Sequence, residues 1–115
     1  MRYLLFLCAA LTLFAQNTEL TEALTASRQR IDSIDGQIIQ LLNERAQVVR
    51  EVGEIKKRFH APVSAPGREG QVLKRAASQA RAPLTPGAVE AIYKTILHEM
   101  SAMEEAEIEK SSKQP

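Results

Sequence analysis

The chain has 115 residues, with 15 basic and 14 acidic side chains, one cysteine and two histidines. That length gives room for one domain and no more. A formal net charge of +1 gives no footing for nucleic acid or an anionic membrane surface through bulk charge, so any cationic site must be local.

Met1 and Arg2 precede an apolar run, Tyr3 to Phe14, which ends at Ala15 before polar Gln16 and Asn17. A positive start, a short apolar core and a small residue at the end predict a signal peptide over residues 1–15. The run falls short of the roughly 20 apolar residues a membrane span needs, so the expectation is an exported chain, periplasmic or secreted, free of the membrane after cleavage. Cys8 lies mid-run behind bulky Leu7 and is not a lipid-attachment site. Cleavage would remove the sole cysteine, leaving no disulfide to staple the fold, and would remove Arg2, leaving 14 basic against 14 acidic residues.

From Leu20 to Phe59 there is no proline. Apolar residues recur at Leu24, Ile31, Ile34, Ile38, Leu41, Val48, Val52, Ile55 and Phe59, spacings of three, four and seven that predict one very long amphipathic helix. His60, Ala61 and Pro62 end it. Pro66 suits the first turn of a second helix, with Glu69 near its positive end and Val72, Leu73, Ala76, Ala77 and Ala80 on one face. Ala82–Pro83–Leu84 breaks the chain, and Thr85 followed by Pro86 predicts the cap and first position of a third helix. Its apolar stripe is Val89, Ile92, Tyr93, Ile96, Leu97, Met100 and Met103. Beyond it, residues 106–115 form a charged tail expected to fray or be disordered, which leaves residues 16–105 as the domain.

The fold class is therefore all-α, with three helices. Forty residues of helix span about 60 Å, whereas a compact chain of 100 residues has a radius of gyration of about 13 Å. The long apolar stripe would lie bare unless a second copy covered it, which predicts an intertwined homodimer.

Numbered in heptads, Leu24, Ile31, Ile38, Val52 and Phe59 share one core position, and the missing member of that series is Arg45. An arginine amid Leu41, Leu42, Val48 and Val49 is costly to bury without an anionic partner. Lys56, eleven residues on, lies about three turns along and projects from nearly the same side. Arg28, seventeen residues before Arg45, points about a quarter-turn away, so it would serve the same pocket only from a neighbouring copy. With Arg68 and Glu69 at the next helix start, the spacing suggests an anion pocket. The competing reading is that Arg45 snorkels and pairs with Glu44, Glu51 or another helix.

These residues also carry a family resemblance. Arg28–Gln29–Arg30–Ile31–Asp32–Ser33–Ile34–Asp35, Leu41–Leu42–Asn43–Glu44–Arg45, Val52–Gly53–Glu54–Ile55–Lys56, Val63 to Glu69, and Ile92–Tyr93 to Glu104 together resemble the all-helical chorismate mutases. The resemblance implies an intertwined three-helix dimer that rearranges chorismate, a dicarboxylate, to prephenate with no cofactor, no metal and no covalent intermediate. It implies that Arg45 holds one carboxylate, that Arg28 of a second copy and Lys56 hold the other, and that Lys56 reaches the ether oxygen. Glu69 accepts the ring hydroxyl, with Arg68 supporting the pocket. Catalysis would then rest on positioning the reactive conformer and on donors fixed toward the developing charge.

Three positions depart from the family pattern: Ala65 where aspartate is frequent, Met100 where serine is frequent with Ser101 next door, and Glu104 where glutamine is common. A carboxylate at 104 would repel developing negative charge and a protonated carboxyl would donate to it, so activity is expected to require neutral Glu104 and to rise towards acid pH. Two other functions stay open: an isochorismate pyruvate lyase on the same scaffold, which the absence of an aspartate before Pro66 slightly favours, and a non-catalytic helical interaction module. His60 and His98 have no second ligand in helical register and do not suggest a metal.

Overall fold

The computed structural model describes residues 2–114, with side chains from Thr12 onward. Met1 and the side chains of residues 2–11, which hold most of the expected signal segment, lie outside the described residues. Three helices follow in order: α1, Arg2–Arg58; α2, Pro66–Ser78; and α3, Pro86–Ser112. No strand occurs among the described residues. The all-α, three-helix reading holds, with two changes of boundary. The first helix begins well before Leu20, and the third continues through 106–112, where fraying was expected. None of the described helices is long and apolar enough to cross a membrane.

The ends of these helices follow from local chemistry. At the end of α1, His60 adopts φ 53°. The Ala61 N–H donates to the Lys56 carbonyl (2.8 Å) and the His60 N–H to the Lys57 carbonyl (3.2 Å). This is the paired-bond termination that usually carries glycine at the left-handed position. Helix α2 starts at Pro66 with no side-chain cap, because Ala65 has none to offer. Helix α3 is capped: the Thr85 hydroxyl accepts from the Ala88 N–H at 3.1 Å, and Pro86 fills the first position. Ala80, expected on the apolar face of α2, falls beyond its end at Ser78.

The chain divides into two units, one up to Leu42 and one from Asn43 onward. In the first, α1 supplies everything. Of its described side chains only Leu24 and Leu42 are even half-buried, and Ile31, Ile34, Ile38, Ile39 and Leu41 are exposed. In the second, α2 packs along α3, burying Ala76 of the one and Val89 of the other. The last turns of α1 belong to this unit, and Gly53 there is buried. Exposed apolar side chains remain in it as well, among them Val48, Ile55, Phe59 and Ile92.

A candidate active site in the second unit

The site is built from the end of α1 outward. The sharp termination at His60 turns the chain back on itself, and the Val63 carbonyl comes to lie over α1. Lys56 Nζ donates to that carbonyl at 2.7 Å. The lysine is thereby aimed rather than left to sweep through solvent, and its side chain is only 21% exposed. A second group meets it from α3: Glu104 Oε1 lies 3.1 Å from Lys56 Nζ.

Glu104 is the only buried charged residue among those described, at 5% exposure. Its burial depends on Gly53. A β-carbon at position 53 would stand 3.1 Å from Glu104 Cγ, closer than side chains normally pack, so the bare backbone of α1 is what lets the carboxyl lie down beside it. Although Oε1 is within ion-pair distance of Lys56, it receives no aligned hydrogen bond. The distance records attraction between the charges; the missing alignment leaves this oxygen with capacity to accept from a donor. A buried acceptor in that condition is costly until something satisfies it.

Both groups open onto a cavity of about 290 Å³. Arg45, Lys56, Arg68, Glu69 and Glu104 all line it, against an apolar wall of Val48, Val49, Val52 and Leu97. Five of the six residues singled out from sequence thus converge on one space. Arg28, the sixth, belongs to the first unit, where its side chain is exposed. Arg45 is half-buried, and neither a hydrogen bond nor an ion pair ties it to another described residue. No ion pair between Arg45 and Glu51 occurs among the described residues. Arg68 is exposed at the rim and Glu69 half-buried.

Sequence reasoning missed the Val63 carbonyl and the role of Gly53. The second had a visible signal, since a glycine inside an apolar helical stretch costs about 1 kcal/mol in helix propensity and calls for a reason. Met100 and Ser101 both line the cavity, so Met100 is wall rather than core and a serine lies beside it. Ala65 lines the same space with no polar side chain to offer.

In kind, the arrangement is a small chamber with two arginines and a lysine, one buried carboxyl and an apolar side. It can grip an anion with at least one carboxylate, and it can present both an ammonium and a carboxyl to a single reacting atom. It offers no hydroxyl or thiol paired with a base for nucleophilic attack.

Comparison with known proteins meets this description. The family model "Chorismate mutase type II" matches residues 27–105. The T-protein of Enterobacter agglomerans is 36% identical over 77 residues, covering 66% of this chain and 21% of that protein. The chain thus spans about a fifth of the length of that relative. Among solved structures, chorismate mutase form II from Thermus thermophilus superposes with a TM-score of 0.69 at 26% identity, covering 71% of this chain and 93% of that one. The Helicobacter pylori chorismate mutase solved with prephenate shares the fold, with a TM-score of 0.71 at 23% identity over 76% of this chain and 96% of that one. Fold, cavity and family model agree: the chain belongs to the type II chorismate mutase family.

Proposed function

We propose that the protein is a chorismate mutase, catalysing the rearrangement of chorismate to prephenate without cofactor, as a homodimer exported behind the signal segment of residues 1–15. The observation that carries the catalytic reading is the pairing of Lys56 with buried Glu104 at the wall of a cavity that also holds unpaired Arg45.

The substrate has two carboxylates and must fold its enolpyruvyl arm over the ring before bonds can exchange. Arg45 takes one carboxylate by its planar fork, and Lys56 with Arg28 of a second copy takes the other. Pinning both ends supplies the near-attack conformer. As the ether bond lengthens, its oxygen gains negative charge. Lys56, held by the Val63 carbonyl, keeps further protons free for that oxygen, and Glu104 beside it donates as well when it carries a proton. Ionised Glu104 instead neutralises Lys56 and repels the oxygen. Glu69 accepts from the ring hydroxyl, and Arg68 closes the rim.

The dimer rests on a separate observation, the exposed isoleucines of the first unit. An isolated helical stretch with an apolar side facing water is marginal, and a second copy is the simplest cover.

The direct test follows chorismate loss and prephenate formation by ultraviolet absorbance, with isochorismate as the competing substrate. Turnover of chorismate, rising towards acid pH and losing that rise in Glu104→Gln, is the expected result. Release of pyruvate from isochorismate with chorismate untouched would make the protein a lyase, and inertness to both would reduce it to an interaction module.

A further inference from the structure

A second cavity, of about 220 Å³, adjoins the first through shared walls: Arg45 and Arg68 line both. It adds Arg75 of α2, with Gln79 and Tyr93, and no carboxylate faces it. Three arginines thus line one space, Arg45 half-buried and Arg68 and Arg75 exposed, and none is ion-paired to another described residue. A cavity with three cations and no carboxylate in its lining favours the entry of an anion. A single substrate in the first cavity leaves the Arg75 end without one.

The first unit carries the complement. Asp32 and Asp35 are exposed, and neither takes part in an ion pair among the described residues. Asp35 lies seven residues after Arg28, about 10.5 Å along the same helix and within about 20° of the same direction. A helix that presents Arg28 to a partner's first cavity therefore presents Asp35 on the same side, roughly one cavity further along.

We propose that the second cavity is an acceptor for Asp35 of a second copy, which pairs with Arg75 and at the same time braces Arg45 and Arg68 from behind. This rests on the dimer reading given above and adds to it a register device: Arg28 and Asp35 form a two-point key, plus and minus, that fits the chambers only in one alignment. Charges placed this way select alignment and partner as well as adding affinity. The same pair would steady Arg45 and Arg68, which no described residue of their own chain holds by an ion pair.

The test is a charge exchange read by sedimentation of the full chain, with circular dichroism to check that each variant is helical. Asp35→Arg and Arg75→Asp each weaken self-association by about tenfold or more, and the doubly exchanged chain recovers most of the loss. Asp35→Asn, the mildest change, makes self-association less sensitive to salt than in the unaltered chain. If the double exchange is no better than the singles and salt sensitivity is unchanged in Asp35→Asn, the key is overturned while the dimer stands. An unaltered chain that sediments as a monomer overturns the dimer reading and this inference together.

Discussion

The two units of this chain solve opposite problems. From Asn43 onward, helices α2 and α3 cover one another, a capped start and a sharp helix end fix the frame, and buried Glu104 pairs with half-buried Lys56 beside a cavity. Up to Leu42 there is a single helical stretch whose isoleucines face solvent and whose charges find no partners among the described side chains. One region lines a cavity with five of the six residues singled out from sequence; the other carries the sixth, Arg28, and a row of exposed isoleucines. The shared site proposed above draws on both.

The comparison can be broken most forcefully at Arg45. Arg45→Leu should lower kcat/KM by about 10²-fold or more, because the clamp that holds one substrate carboxylate in the reactive conformer is lost. The same change should leave thermal stability equal or higher, since an unpaired half-buried cation is replaced by an apolar side chain. A loss of stability in parallel with activity would make Arg45 part of the scaffold instead.

In the first unit, Ile38→Lys should weaken self-association by about tenfold or more with little effect on helix content at high protein concentration, because a charge must then be desolvated at the covered face. Sedimentation across a concentration series reads this. An unchanged association constant would mean that the exposed isoleucines are not the interface.

Smaller effects sharpen the picture inside the second unit. In Gly53→Ala the new methyl meets Glu104 Cγ at 3.1 Å, so the carboxyl must give way by a few tenths of an ångström. The helix gains about 1 kcal/mol in propensity from the same change. Turnover should therefore fall several-fold while the melting temperature holds or rises, and the acid rise in rate should be blunted. The smallest effect belongs to His60→Gly. Relieving a left-handed non-glycine residue at φ 53° should stabilise the chain by about 1 kcal/mol, seen as a rise of several degrees in Tm with activity intact.

The differing legibility of the two regions has a physical origin. Helical periodicity and terminators are local, so Pro66, Thr85–Pro86 and the break before Pro62 marked the elements correctly. Cations interrupting an apolar stripe are also local, so Arg45 and Lys56 stood out, with Arg68 and Glu69 at the next helix start, and the family pattern added Glu104. Contacts between elements leave no period. The Val63 carbonyl over Lys56 depends on a left-handed histidine, and the seat of Glu104 depends on an absent side chain at Gly53. The run of α3 to Ser112 likewise escaped composition. Lys57 Nζ donates to the Ser111 hydroxyl at 2.6 Å, and Ile108 is half-buried, so a tail that looks solvated is partly held.

Mixing two inactive variants tests the shared site most directly. Arg28→Ala and Arg45→Ala, each purified and each expected to be nearly inert, are combined and allowed to exchange subunits. Half of the dimers are then mixed, and each mixed dimer has one site with both lesions and one with neither, so about a quarter of the unaltered activity should return. A mixture that stays as inert as its components, or an Arg28→Ala chain that is fully active alone, would contradict the account.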